Sequence, residues 1–511
     1  MTTLSIALQP WAVGQKARSP HDFDLPLPSP SSPGRRSLSR RGVLRGSALL
    51  GATAAASGLL GSPLAGAATR PSASPGGRHL PPADRAKAAQ VRAEFLHGWS
   101  GYKKAAWGHD EVKPVSGTSS EFFVPGRPVA LSVIEALDTL YVMELDDELK
   151  LSCDYLEKHL DLDIDGDFHV FEAIIRVVGG LLSGYLVTRR PKLLELTREA
   201  ADRLLPAFTK SPTGIPYTQV NMRTGAVSGN TPPLAEVGTN ILEFGVLSQL
   251  TGDQKYYQAA KKAYRETMRR ISPLGLLGTS LNVETGKWAD GTDTAPNPPV
   301  DSFYEYLWGG WELFGDRDLL NWYRETTRAI LRRQSVTVDG HLWFRQADMN
   351  TGKTTGTRAS ELASFYGGLL AMGGDQPQGE AYYRSWSAVM QRYPVLPEEI
   401  DYTDFSATQK GNQLRPEYVN SAFNLFQLNG RQEWRDTAWT YFQGMKNLRV
   451  DGGYTIASDV TVSPMALGDL TPAYWFAENM KYLYLIFAAA PRYDYRTGYL
   501  STEGKLLRGV R

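Results

Sequence analysis

The chain has 511 residues, of which 42% are hydrophobic, 21% charged and 11% aromatic, a composition typical of a folded, soluble protein with a large core. Its 55 lysines and arginines balance 54 aspartates and glutamates, and the resulting net charge of +1 provides no basic field for nucleic acid or an anionic membrane. The single cysteine, Cys153, excludes an internal disulfide and a thiolate metal cluster.

Residues 1–80 are predicted to be a leader that is not part of the fold. Twin arginines, Arg40 and Arg41, precede a weakly apolar stretch rich in Gly and Ala over residues 47–68, which is typical of a twin-arginine export signal cleaved near Ala65-Gly66-Ala67. This stretch is too rich in glycine for a stable membrane span. A disordered basic tail is the alternative. We therefore expect a secreted or cell-envelope protein, with residues 81–511 forming a single monomeric domain.

From residue 86 onward, apolar residues recur at helical spacing, and each apolar helix is followed by a turn and a more polar helix. A glycine, the favoured residue just past a helix end, marks four of these turns at roughly 60-residue intervals, the length of a helical hairpin with a long connection. These are Gly252, Gly315, Gly374 and Gly430. Similar breaks near Asp146, Arg189 and Ala488 bring the count to seven, with six as the alternative.

The first helix of each hairpin is apolar on nearly every side, as in 174–187, whereas the second is amphipathic, as in 253–270. This pattern predicts an all-α fold, an (α/α)7 barrel of seven inner and seven outer helices. Thr-Gly pairs at 224–225, 285–286, 351–352 and 497–498 predict β-hairpins in the long connections. Because the short turns follow the inner helices, we expect all the hairpins at the opposite mouth, and the functional site with them.

An acidic residue stands near the start of each predicted inner helix, at a similar distance before its turn. The seven are Glu135, Glu172, Glu236, Asp301, Glu361, Glu417 and Glu478. At the rise of an α-helix, they form a ring of carboxylates inside one mouth, which must be hydrogen bonded, paired or metal bound. Arg176 and Arg415 are available to pair with some of them. Stabilisation of a helix dipole explains any one of these acids, but not seven in apolar segments.

Several carboxylates in a deep pocket favour glycoside hydrolysis, in which one protonated acid assists the leaving oxygen and one ionised acid activates water or attacks. Neither a nucleophile elbow nor a phosphate-binding loop is recognisable. All the histidines lie outside the apolar cores of the inner helices, which disfavours an imidazole-based epimerase or a zinc hydrolase. They are His21, His79, His97, His109, His159, His169 and His341.

Eight segments, in order, resemble the signature blocks of the family 47 glycoside hydrolases, the class I α-mannosidases. They are 106–117, 134–143, 161–185, 234–253, 301–307, 414–423, 476–487 and 501–504. The resemblance implies an (α/α)7 barrel and an inverting, calcium-dependent exo-enzyme that removes terminal α-1,2-linked mannose from oligosaccharides or glycoprotein glycans. A protein that binds mannose glycans on the same barrel without turnover is the alternative.

The resemblance also implies roles for individual residues. Glu172 matches the general acid and Glu417 the base that activates water, while Asp301 matches a third catalytic carboxylate that shares acid duty or orients a water. Which of Glu172 and Asp301 delivers the proton is open. Thr502 matches the ligand of Ca²⁺. Expected in the mannose pocket or the calcium shell are Arg176, Arg415, Glu135, Glu236, Glu305, Glu478, Glu503 and Tyr474.

Four positions depart from the family pattern and leave the glycan preference open. Asn420, Glu361, Glu135 and Pro299 stand where the family usually has Glu, His, Asp and an Arg that contacts the next sugar.

A competing motif overlaps the predicted general acid. The aspartates at 161, 163 and 165, with Gly166 and Glu172, match the calcium loop of an EF-hand, in which the last position is a bidentate Glu. Two observations argue against it: Leu162 and Ile164 alternate with the aspartates, and no second loop pairs with this one.

Overall fold

The computed structural model describes residues 80–511, so the predicted leader lies outside the described residues except for Leu80. All described residues belong to one compact unit. Within them, two concentric rings of seven helices confirm the (α/α)7 barrel. The inner ring consists of Leu131–Val142, 170–188, 234–251, Asp301–Phe314, 361–372, Glu417–Asn429 and 475–488. The outer ring consists of Arg85–Ala106, Asp146–His159, Pro191–Leu204, Lys255–Met268, Arg317–Arg333, Gln376–Arg392 and Gln432–Met445.

Four inner helices are irregular near their first turns. The second contains the π-helical turn Ala173–Val178, and the seventh begins with another, Trp475–Asn479. The fifth begins as the 3-10 helix Glu361–Phe365. The third is interrupted between Leu234–Gly238 and Ile241–Thr251. Because π-helical turns often occur at functional sites, these irregularities mark one end of the barrel as chemically important.

The turns between inner and outer helices follow the predicted glycine pattern. Gly252, Gly315 and Gly430 adopt left-handed φ angles of 77°, 68° and 65° directly after an inner helix. Each outer helix then presents an apolar stripe to the inner ring, as in Arg317–Arg333, where Leu319, Tyr323 and Ile330 are buried. The amphipathic pattern of a helix therefore indicates whether it belongs to the inner or the outer ring.

The barrel closes between the two ends of the described chain. Helix Arg85–Ala106 is the outer partner of the last inner helix, although it precedes all the others in sequence. Its N-terminal cap, Asp84, donates its backbone N–H to the Phe487 carbonyl at 2.9 Å, and Phe95 packs edge-on against Phe476. The seven hairpins in space are thus six consecutive ones and one that joins distant segments.

Short antiparallel strands occupy the long connections and the segment after the last inner helix, and three of the four predicted Thr-Gly hairpins are confirmed in the long connections. The paired strands are Glu111–Lys113 with Thr118–Ser120; Asp167–His169, Gln219–Asn221 and Val227–Ser228; Ser280–Leu281 with Trp288–Asp290; Thr292–Asp293, Gln346–Asp348 and Thr354–Gly356; Ser335–Val338 with His341–Phe344; Arg358–Ser360, Glu399–Asp401 and Ser406–Gln409; Arg449–Val450 with Gly453–Tyr454; Ala457–Asp459 with Ala466–Leu467; and Tyr499–Leu500 with Leu506–Arg508.

The prediction for 497–498 is wrong. These residues follow the last inner helix and precede strand Tyr499–Leu500, which pairs with Leu506–Arg508 at the short-turn end of the barrel. Gln427, near the end of its inner helix, donates to the Gly498 carbonyl at 3.1 Å, and Arg508 binds the Glu312 carbonyl at 2.6 Å. A turn motif predicts a hairpin but carries no information about which end of the barrel receives it.

The segment Val170–Thr188 is long and apolar enough to cross a membrane, with 78% of its most apolar window buried inside the structure. Its apolar surface packs against the neighbouring inner helices, as expected of a core helix.

Candidate active site

The C-terminal hairpin forms the floor of the barrel cavity. Residues 501–505, between its two strands, reach in from the short-turn end. Lys505 Nζ lies 2.9 Å from Glu135 Oε2, and Lys481 Nζ donates to the Gly504 carbonyl at 2.5 Å. Lys481 also pairs with Asp138 at 2.6 Å. Both lysine side chains are fully buried, so the floor is held by ion pairs that water does not reach.

Arg176 ties the floor to the wall. Its Nε lies 2.6 Å from Glu172 Oε2 and its Nη1 lies 2.8 Å from Glu503 Oε2. The guanidinium also makes cation–π contacts with Phe122 and Tyr474, whose ring centroids lie at 5.3 and 5.4 Å. These contacts and the charge-assisted hydrogen bonds fix its orientation. Arg176 therefore joins three distant parts of the chain at one point.

Arg415 shares the aromatic neighbour of Arg176. It pairs with Glu398, Nε to Oε2, at 3.0 Å, and its guanidinium lies 5.8 Å from the centroid of the Tyr474 ring. Its positive charge lowers the pKa of Glu172, Asp301 and Glu417. Carboxyl groups from three inner helices therefore lie within the electrostatic reach of one guanidinium.

The three carboxylates differ in the protonation state that their surroundings favour. Burial raises the pKa of Asp301 to about 6 and that of Glu417 to about 8, although Arg415 opposes both shifts. Burial would also raise the pKa of Glu172, but Arg176, His169 and Arg415 together lower it below its usual value. The site thus combines one carboxylate held ionised with two that retain their protons more strongly.

A second group of carboxylates surrounds Thr502. Burial raises the pKa of Glu305 to about 7, and the neighbouring Thr502 side chain opposes this shift. Burial likewise raises the pKa of Glu503 to about 7 in spite of Arg176, and that of Glu478 well above its usual value, with Glu503 adding repulsion. Burial therefore disfavours the ionised form of all three carboxyl groups at this point, and a bound cation would favour it.

Glu236 lies nearer the mouth and has a partner that the sequence analysis passed over. His169 Nε2 is 3.2 Å from Glu236 Oε1, and the imidazole acts electrostatically on Glu172. A histidine beside the acids was therefore not anticipated from the sequence. His169 is indeed outside the apolar core of its inner helix, but the helix starts at the next residue, so the ring faces its first turn.

The residues that depart from the family pattern form hydrogen bonds within the protein. Glu361 is fully buried; its Oε2 accepts from Asn412 Nδ2 at 3.1 Å, and burial, Glu398 and Glu417 raise its pKa. Asn420 donates to the Tyr482 hydroxyl at 2.8 Å. Pro299 accepts at its carbonyl from the Ala235 N–H at 3.0 Å.

The EF-hand hypothesis does not fit the geometry of its segment. Asp163 pairs with Arg203 at 3.1 Å and with Arg223 at 3.3 Å. Asp165 accepts from Asn221 at 3.0 Å, while Glu172 is engaged by Arg176. The aspartates thus bind side chains of the adjoining hairpin and outer helix, and their loop is pinned to the barrel.

All the predicted site residues fall in this cavity, and their assigned roles remain predictions. Sequence reasoning missed Phe122, His169, Glu398, Lys481 and Lys505. Of these, Lys481 sits in an otherwise apolar inner helix, which is a signal that a buried partner exists. The others lie in connections, where helical periodicity gives no direction for a side chain.

Comparisons with known proteins agree with this arrangement. Mannosyl-oligosaccharide 1,2-alpha-mannosidase MNS1 of Arabidopsis thaliana is 33% identical over 453 residues, which cover 84% of this chain and 80% of that protein. Alpha-mannosidase I MNS5 of the same plant is 32% identical over 442 residues, covering 81% and 75%. The solved structure of an alpha-1,2-mannosidase from Trichoderma reesei superposes with a TM-score of 0.75 at 25% identity, covering 84% of this chain and 100% of that one.

The sequence profile of Glycosyl hydrolase family 47 matches residues 94–509, which is most of the described chain. Ordered sequence blocks, a shared barrel and this match lead to one conclusion: the chain belongs to glycosyl hydrolase family 47.

Proposed function

We propose that this protein is an exo-acting α-1,2-mannosidase that removes terminal mannose with inversion and with the help of Ca²⁺. The observation that carries the proposal is the ion-pair network in which Arg176 joins Glu172 of the wall to Glu503 of the C-terminal hairpin, with Asp301 and Glu417 buried within the electrostatic reach of Arg415. The printed activities of the family relatives support the same chemistry.

The closed floor supports action on chain ends. A sugar that enters from the mouth meets residues 501–505 at the bottom of the cavity, so only a terminal unit reaches the carboxylates. Tyr474, stacked on Arg176, offers an aromatic face to that unit, as sugar rings prefer. Arg176 and Arg415 are the charged donors available to its hydroxyl groups.

Glycosidic cleavage by inversion needs one proton donor and one base on opposite faces of the sugar. In our proposal Asp301, whose pKa is raised to about 6, delivers the proton to the leaving oxygen. Glu417 takes a proton from the attacking water, a role that requires its ionised form. Arg415 favours that form, and a bound cation would favour it further. Glu172, held ionised beside Arg176, orients water and stabilises positive charge on the ring.

The residues around Thr502 fit a hard divalent cation. Buried oxygens of Glu305, Glu478 and Glu503 crowd this point, and a cation would relieve their repulsion. Across residues 80–511, no three His, Cys, Asp or Glu side chains are grouped to hold a metal directly. In our proposal Thr502 supplies the direct protein ligands, and the neighbouring carboxyl groups act through water. When bound, Ca²⁺ would supply a fixed charge that holds sugar hydroxyls.

The test is incubation of the purified chain with α-1,2-mannobiose, with Ca²⁺ or with excess chelator, while the anomer first released is followed by proton NMR. We expect β-mannose first, no product after chelation, and recovery on addition of Ca²⁺. Release of α-mannose first would contradict inversion. Retained binding of the disaccharide without hydrolysis would instead favour a glycan-binding protein.

A further inference from the structure

His169 and Glu236 form a polar pair on the wall of the cavity that the proposed chemistry leaves without a task. Their contact, Nε2 to Oε1, measures 3.2 Å. The two residues come from different elements: His169 ends strand Asp167–His169, and Glu236 lies in the first turn of helix Leu234–Gly238. Their meeting is therefore a product of the tertiary fold.

The pair lies closer to the mouth than the residues that hold the floor. Side-chain exposure is 30% for His169 and 16% for Glu236, but 9% for Arg176 and 0% for Glu135. Glu172 is 25% exposed, and the His169 imidazole acts on it electrostatically, so the pair lies beside the catalytic carboxylates on the open side of the floor. When the terminal sugar fills the floor, the next sugar extends toward this open side, past His169.

The pair also has unused hydrogen-bonding capacity. His169 Nδ1 and Glu236 Oε2 are both buried and have no hydrogen-bond partner within residues 80–511. A sugar hydroxyl can accept from one group and donate to another, which matches one nitrogen and one carboxylate oxygen. Pro299, bonded through its carbonyl to Ala235, offers this stretch of wall neither an N–H nor a polar side chain. His169 is thus the side chain in this stretch of wall that can donate a hydrogen bond in a positively charged form. Burial lowers its pKa, but Glu236 and Glu172 together raise it above the usual value.

We propose that His169 is a specificity-determining residue that, oriented by Glu236, hydrogen bonds the second sugar of the substrate, on the leaving side of the scissile bond. The inference rests on the proposed function for the direction in which the glycan lies. It assigns to His169 no part in proton transfer.

The test measures binding without turnover. In a Glu417→Gln background loaded with Ca²⁺, isothermal calorimetry compares α-1,2-mannobiose with methyl α-mannoside, which lacks the second sugar. We expect His169→Ala to weaken the disaccharide about tenfold or more, as for loss of a charge-assisted hydrogen bond, while methyl mannoside changes less than twofold. His169→Gln, which keeps an N–H donor, should recover part of the loss. His341→Gln, on the distant strand His341–Phe344, is the matched control.

Equal weakening of both ligands would overturn the inference, because it would place His169 at the terminal sugar or in the support of the whole site. Unchanged binding of both would overturn it as well. Thermal unfolding shows whether each variant is folded. If His169→Ala is not folded, the comparison of the two ligands is made with His169→Gln alone. Hydrolysis by the unmutated chain is measured separately. If that chain binds both ligands without cleaving the disaccharide, the proposed function is contradicted, but the binding result for His169 still holds.

Discussion

Asp301 and Glu172 face the same guanidinium but sit in opposite electrostatic surroundings. Glu172 contacts Arg176 at 2.6 Å, whereas Asp301 opens its helix with Arg415 as the cation that lowers its pKa. Burial favours the protonated form of Asp301, as a general acid requires, whereas Glu417, whose pKa is raised further, must be ionised with the help of Arg415 and a bound cation before it acts as the base.

Substitution of these two acids distinguishes the proton donor. We expect Asp301→Asn to lower kcat on α-1,2-mannobiose by about 10² to 10⁴, and to cost far less on a 2,4-dinitrophenyl α-mannoside, whose leaving group needs no proton. Glu172→Gln should impair both substrates similarly. Steady-state kinetics with the two substrates checks this. The reverse pattern, with Glu172→Gln rescued by the activated substrate, would assign the donor to Glu172.

Lys481 and Asp138 form a fully buried ion pair at 2.6 Å beneath the floor. We expect Lys481→Met to lower the free energy of unfolding by about 3 to 5 kcal/mol, because it leaves Asp138 charged and unpaired. The double variant Lys481→Met/Asp138→Leu should recover much of this loss. Urea denaturation followed by circular dichroism measures both. A double variant no more stable than Lys481→Met would show that the pair is not the main determinant.

The positions of Glu172, Asp301 and Glu417 could be predicted from the sequence because helical periodicity fixes where each inner helix begins. The pairing of His169 with Glu236 could not be predicted, because it depends on the exact residue at which strand Asp167–His169 ends and the inner helix begins. Likewise, no pattern along the chain records that Glu398, in a connection, reaches Arg415.

At the scale of elements, close backbone packing joins the first described helix to a hairpin. A Cβ on Gly101, in helix Arg85–Ala106, would lie 1.8 Å from the Gly452 carbonyl oxygen, and one on Gly452 would lie 2.1 Å from the Pro114 oxygen. Three backbone segments therefore stack where only glycine fits.

Gly101→Ala tests this packing because the two possible effects change the stability of the protein in opposite directions. Helix propensity alone would stabilise the helix by about 1 kcal/mol, whereas the clash with backbone should destabilise the protein by about 2 kcal/mol or more. Ser100→Ala, at the exposed neighbouring position, is the control and should be neutral or slightly stabilising. Thermal unfolding compares them. A raised Tm for Gly101→Ala would contradict the packing.

The ring of helices was predictable from turn glycines and apolar faces, which are local properties. The placement of the last hairpin was not, because the same Thr-Gly signal occurs at both ends of the barrel. Residues 497–498 differ from the other three pairs in leading into strand Tyr499–Leu500, which pairs with Leu506–Arg508, and not into an inner helix.

At the scale of the whole molecule, the surplus of buried carboxylates predicts that the cation stabilises the fold. Removal of Ca²⁺ by chelator should lower Tm by several degrees, and Tm should rise again with Ca²⁺ concentration, as for any ligand that binds only the folded state. Thr502→Ala should lose most of this dependence while keeping the carboxylates. Differential scanning calorimetry at fixed pH measures it. A Tm independent of Ca²⁺ would contradict a site at Thr502.

The floor depends on residues that are far apart in the sequence. Lys505 pairs with Glu135 across 370 residues, and Glu503 pairs with Arg176 across 327 residues. Each helical hairpin, by contrast, is built from neighbouring segments. Because long-range contacts close larger loops and form more slowly, we expect the hairpins to form first and the floor to join them late in folding.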